Sequence, residues 1–129
     1  MSQENVEIVR AFFRGWNEGG LDGMMEVFDA DVAYLPVEVA ETLHGSEAVR
    51  RYFQGWLDAW DEFHVEPTEF LDTGDHVVVG EALTGRGKGS GVEIAMEFWS
   101  VSLLRDNHVV RRDEYLDRAD ALEAAGLSE

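Results

Sequence analysis

The sequence predicts a single α+β domain in which helices pack on the concave face of a curved antiparallel sheet and enclose a cone-shaped pocket. Three observations carry this. The first half of the chain places Val6, Val9, Phe12, Phe13 and Trp16, and later Val49, Tyr52, Phe53, Trp56, Leu57 and Trp60, at the spacing of amphipathic helices. The second half alternates apolar and polar residues between turn signals, which is the period of strands. Helices gathered toward one end of a chain and strands toward the other imply separate layers rather than alternating βαβ units. With 129 residues the chain has the length of one domain, and 1–129 is read as one.

Ser2 is placed to cap the first helix, and Gly19-Gly20 to end it, because glycine accepts the left-handed geometry of a helix terminus. Asp22 opens a short second helix carrying Met24, Met25, Val27 and Phe28. Residues 31–39 read as a strand at an edge or broken at Pro36, which cannot donate to a ladder. His44-Gly45 turns the chain, and Ser46 caps the longest helix, over 47–61. Strands follow over 63–71 and 76–84, joined by the turn Thr73-Gly74-Asp75, with Glu81 inside the second. Residues 85–91, with four glycines, read as a hairpin loop; a strand follows it, so it is not a phosphate-cradling loop.

Two long strands over 91–117 form the centre of the fold, joined at Asp106-Asn107. The first arm carries Val92, Ile94, Met96 and Phe98 on alternate positions, then shifts phase to Trp99, Val101 and Leu103, which predicts a bulge or bend. The second arm keeps Arg111, Arg112, Asp113 and Glu114 among its apolar residues, so one face is either solvated or lines a polar-bottomed cavity. A final helix over 118–125 ends at Gly126. An outer face bearing Trp99, Val101 and Leu103 would expose an apolar patch, which predicts a homodimer through that face.

Composition excludes several functions. Ten basic against 27 acidic residues leave a formal charge of −17, which repels nucleic acid and anionic membrane surfaces. There is no cysteine, hence no disulfide, thiol nucleophile or thiolate metal site. His44, His64, His76 and His108 lie far apart, without the paired spacing of zinc sites, so no metal is expected. The N-terminal residues lack the pattern of a secretory signal, and no apolar run approaches the roughly 18 residues of a membrane span. A cytoplasmic protein without cofactor, whose partner is a small apolar molecule, is the expectation.

The segments IVRAFFRGWNEGGLDGMMEVFDADVAY, LHGSEAVRRYFQGW, FLDTGDHVVV, GRGKGSGVEIAMEFWSVSLLRDNHVVRRDEYLD and ALEAAGL resemble the SnoaL-like branch of the nuclear transport factor 2-like superfamily, which includes ketosteroid isomerases and epoxide-hydrolase-like enzymes. The resemblance covers nearly the whole chain. It implies that Val110, Arg112, Glu114 and Leu116 face the cavity. Glu114 falls where the epoxide-hydrolase type places a catalytic aspartate, Glu81 where it places an arginine, and Leu83 where it places a second aspartate. Tyr34 matches a phenol that orients water, and Pro36 replaces an expected amide. The ketosteroid isomerase set would need a tyrosine on the first helix, where Trp16 stands.

The chemistry this leaves is carboxylate acid–base work. A carboxyl in an apolar pocket resists ionising and can carry protons near neutral pH. Glu114 is the expected principal proton-transfer group, with Glu81 and Tyr34 beside it. Trp16, Tyr52, Trp56, Met96, Phe98, Ser100 and Arg112 are the expected ligand-binding residues. Alternatively, Arg112 pairs with Glu81 or Glu114 in a purely structural ion pair. Two functions follow from these readings: a cofactor-independent cyclase, isomerase or hydrolase acting on an apolar carbonyl compound, or a non-catalytic binding or dimerisation module.

Overall fold

The structure, a computed structural model, describes residues 2–18 and 20–127. The Ser2 side chain and Gly19, to which the sequence assigns a cap and a helix end, lie outside the described residues. The elements run α1 (Ser2–Asn17), α2 (Leu21–Met25), β1 (Phe28–Leu35), β2 (Leu43–His44), α3 (Ser46–Ala59), β3 (Trp60–Asp72), β4 (His76–Gly87), β5 (Glu93–Arg105), β6 (His108–Tyr115) and α4 (Arg118–Ala124). The strands form one six-stranded sheet in the order β2-β1-β6-β5-β4-β3.

The α+β class holds, but the sheet is mixed rather than antiparallel throughout. β1 and β6 run parallel, pairing Tyr34 with Arg112 and Leu35 with Asp113. The chain leaves β1, passes through α3 and three antiparallel strands, and returns beside its starting strand, a crossover long enough for a parallel pair. Phe28 belongs to β1 rather than to the second helix, and Leu43 and His44 form a two-residue edge strand where the sequence suggests only a turn. Trp60 begins β3 with extended geometry (φ −128°, ψ 136°) instead of closing α3. The glycine-rich segment contributes its first three residues to β4, so the loop is shorter than expected. At the β5–β6 turn, Asp106 and Asn107 take φ of 50° and 67°, the left-handed pair that matches the twist of a two-residue hairpin.

The predicted phase shift in β5 is not a bulge. The β4–β5 register runs unbroken from Arg86 opposite Glu93 to His76 opposite Leu103. Both faces of this part of the sheet are covered. One face meets α1, α2 and α3 in the main core of Val9, Phe12, Phe13, Met24, Val32 and Phe53, with Val77 and Val79. The other meets α4, where Val78 and Val101 pack against Ala121, Leu122 and Ala125. A strand buried on both sides carries apolar residues at both parities, and that is the apparent shift. Three of the helices therefore cover one face and the fourth lies on the opposite one. The same helix covers part of the apolar patch that argues for a dimer: Val101 is buried beneath it, and Arg118 stacks its guanidinium 5.5 Å from the Trp99 ring. Gly80 pairs with Trp99, and a Cβ at Gly80 would meet that ring at 2.9 Å and Thr68 Oγ1 at 2.6 Å, so the side chain is absent because the ring lies across it.

The irregularity lies one strand over. Leu103 pairs with Arg111 but Leu104 pairs with Val109, leaving Val110 as an extra residue. A bulge reverses the alternation. It puts Val109, and not Val110, on the helical face together with Arg112 and Glu114. Leu116, expected in the cavity, follows the end of β6 and is 65% exposed.

Candidate functional site

The site lies between the helical face of the sheet and α1 and α3. Tyr34 on β1, Arg112 and Glu114 on β6, and Glu81 on β4 point the same way because their strands are neighbours and their parities agree. All four side chains are buried. Arg112 Nη2 donates to Glu81 Oε1 at 3.2 Å and Oε2 at 2.9 Å, and to Glu114 Oε2 at 2.9 Å. The Tyr34 hydroxyl donates to the same Glu114 oxygen, and the Val37 backbone N–H donates to Glu114 Oε1 at 2.9 Å. Arg112 thus holds both carboxylates at once. The acid–base and ion-pair readings of the sequence share one cluster.

The last donor was not legible as a site residue, although its signal is in the sequence. Pro36 stops β1 from continuing, so the N–H of Val37 leaves the ladder free to bond elsewhere. The proline that replaces the expected amide side chain therefore frees a backbone amide for the glutamate.

A narrow cleft opens onto the cluster, walled by Phe12 and Trp16 from α1, Tyr52, Phe53 and Trp56 from α3, Phe63 and Val65 from β3, and Leu83, Met96 and Phe98 from the sheet. Of the residues that the sequence reading gives to ligand binding, Trp16, Tyr52, Trp56, Met96, Phe98 and Arg112 line this cleft and Ser100 does not. It is fully buried beneath the carboxylates, paired in register with Glu114, and is absent from the cleft wall. Its Oγ makes no hydrogen bond of ordinary geometry, yet it lies near enough to Glu81 to favour the ionised carboxylate. The free interior is about 40 Å³, room for a few waters or a compact group and far below the roughly 300 Å³ of a drug-sized pocket. Rings fill most of the expected cone: Trp56 stacks on Phe63 at 5.2 Å and Trp16 meets Phe53 at 5.3 Å. Glu38 lies at the mouth and accepts a hydrogen bond from Tyr52.

Burial raises the proton affinity of Glu81; the Arg112 charge opposes this and the Glu114 charge reinforces it, with a net upward shift. Burial also raises Tyr34, helped by the Glu114 charge, so the phenol stays protonated as a donor. Burial works against the charge on Arg112, but Glu81, Tyr34 and Glu114 outweigh it and hold the guanidinium charged. The guanidinium also lies 5.1 Å from the Phe12 ring centre and 5.4 Å from that of Tyr34. Among the described residues, no three His, Asp or Glu side chains converge to hold a metal, and no helix is long and apolar enough to cross a membrane.

The sequence model of the SnoaL-like domain matches residues 9–112, and the chain belongs to that family. No curated protein matches the sequence. Among solved structures, a hypothetical protein with a ketosteroid isomerase-like fold from Catenulispora acidiphila, in complex with trimethylamine, is 23% identical, with a TM-score of 0.77 over 94% of this chain and 93% of that one. A candidate SnoaL-like polyketide cyclase from Jannaschia sp. CCS1 is 22% identical, with a TM-score of 0.79 over 97% and 90% of the two chains. An NTF2-like protein from Burkholderia xenovorans is 27% identical, with a TM-score of 0.74 over 100% and 98%. These likenesses show the fold.

Proposed function

We propose that the chain binds a small, largely apolar carbonyl compound in the cleft and catalyses its isomerisation, cyclisation or hydrolysis without a cofactor, using Glu81 as the proton carrier. One observation carries this: a single guanidinium bridges two buried carboxylates beneath an aromatic cleft. With both carboxylates ionised, the cluster has one negative charge more than it can compensate, and burial disfavours that state. The surplus falls on Glu81. Glu114 accepts from the Tyr34 hydroxyl, the Val37 N–H and Arg112, whereas among these groups Glu81 accepts from Arg112 alone. Glu114 therefore becomes the anchor that fixes Arg112 and Tyr34, and Glu81 takes the proton-transfer role that the sequence reading assigns to Glu114.

In the reaction, ionised Glu81 removes a proton from the carbon beside the substrate carbonyl, and the electron pair moves onto the carbonyl oxygen. Arg112, the one cationic side chain lining the cleft among the described residues, offsets that developing charge. Glu81 then returns the proton to another atom of the substrate, or the enolate attacks a second carbonyl in the same molecule, closes a ring, and the alkoxide so formed takes the proton back from Glu81. Relatives described as polyketide cyclases support this class.

Proton–deuterium exchange tests it directly. A panel of small ketones is incubated with the protein in deuterated water and followed by NMR. Exchange beside the carbonyl of at least one ketone is expected, falling about 100-fold or more in Glu81→Gln, the usual scale of a lost general base. Full exchange by Glu81→Gln refutes the assignment. A second reading, a binding module without chemistry, is favoured by the small free interior of about 40 Å³. It predicts saturable binding with no exchange.

A further inference from the structure

The charge of the cleft selects among ligands. Its ionisable lining is Glu38, Glu81 and Glu114 against Arg112, with Tyr34 and Tyr52 as the remaining titratable groups. Arg112 is already engaged by both inner carboxylates. An anionic occupant would meet uncompensated carboxylate, and a neutral one would leave the surplus uncompensated. The walls suit the opposite sign. Ring faces attract cations, and besides Phe12 and Tyr34, which already face the Arg112 guanidinium, the cleft is lined by the rings of Trp16, Tyr52 and Trp56.

Glu81 retains acceptor capacity, since both its oxygens are served by one guanidinium nitrogen and a carboxylate offers about four lone-pair sites. The free space of about 40 Å³ restricts that occupant to a compact head group. The chain's net charge of −17 draws cations toward the mouth.

We propose that the compound this cleft accepts carries one positive charge, as a compact protonated or quaternary amine seated against the rings of Trp16, Tyr52 and Trp56 and facing Glu81. The proposal rests on the reading that the cleft is the ligand site, and it adds the charge of the ligand to that reading.

Calorimetry on the intact protein at pH 7.5 tests it with three probes of similar shape: tetramethylammonium, tert-butanol and pivalate. Tetramethylammonium is expected to bind at least tenfold more tightly than tert-butanol, and pivalate not to bind. Glu81→Gln should lower the affinity for the cation at least tenfold and leave that for tert-butanol within twofold. Trp56→Leu, at a half-buried position, should act in the same direction by severalfold and serves if the first variant does not fold. Tighter or equal binding of tert-butanol or pivalate overturns the charge assignment and leaves the cleft standing as a ligand site. Binding of none of the three overturns both.

Discussion

Replacing Arg112 by Met should expose how the buried cluster is held. Methionine keeps an apolar stem of similar reach, so the main loss is the guanidinium. The side chains of Arg112, Glu81 and Glu114 are only 4%, 1% and 5% exposed, so solvent cannot take over the lost charge. Glu114 keeps the Tyr34 hydroxyl and the Val37 N–H, but Glu81 keeps neither, and in the folded variant Glu81 must take up a proton. Protonating a carboxyl of ordinary affinity, about 4.3, costs about 3.7 kcal/mol at pH 7 and about 1 kcal/mol at pH 5, at about 1.36 kcal/mol per pH unit, and these are upper bounds on the penalty because burial already raises Glu81 in the natural protein. The neutral-pH value agrees with the roughly 3–5 kcal/mol typical of breaking a buried ion pair. Urea denaturation followed by circular dichroism at both pH values measures it. A large penalty at pH 7 that shrinks to about a third or less at pH 5 is expected. A penalty that is equal at the two pH values, or below about 1 kcal/mol at pH 7, would refute it.

Glu81→Gln should behave differently from Arg112→Met. Glu81 has a raised folded-state proton affinity, so its contribution to stability is present below its unfolded pKa and is lost as pH rises through the folded one. The glutamine variant lacks this titration. Its melting temperature should therefore improve relative to the natural protein between pH 4 and pH 8, and a relative decline on the same scan contradicts the shift. Tyr34→Phe removes a buried donor to a charged acceptor and should cost about 1.5–3 kcal/mol by urea denaturation; a change under about 0.5 kcal/mol would show that Glu114 does not depend on the phenol. Gly80→Ala drives a Cβ to 2.9 Å from the Trp99 ring and 2.6 Å from Thr68 Oγ1, an overpacking cost of about 1–3 kcal/mol. Gly80→Ala,Thr68→Ala should recover part of that cost, and no recovery assigns the clash to Trp99 alone.

The cleft residues differ in how legible they were. Trp16 and Trp56 repeat at helical spacing, and Met96 and Phe98 sit on the alternation of their strand, so each could be placed on an inward face from local order alone. The bulge at Val110 could not, because a bulge is defined by what the partner strand does and β6 carries no glycine to mark it. Nor could the burial of Val101, since the helix that covers it comes 17 residues later as 118–124 and its docking face depends on the path of the turn between.

Taken by itself, the sequence determined the α+β class, the order of the main elements and the acidic, cysteine-free character of the chain, because these follow from periods of two and 3.6 residues and from composition. Tertiary structure decided that Glu81, Arg112, Glu114 and Tyr34 form one cluster, that Val37 joins it through its backbone, and that aromatic rings leave little free space above it. The physical reason is sequence separation: the Tyr34–Glu114 bond closes across 80 positions and the Arg112–Glu81 bond across 31. No local period reports which buried charge will face which.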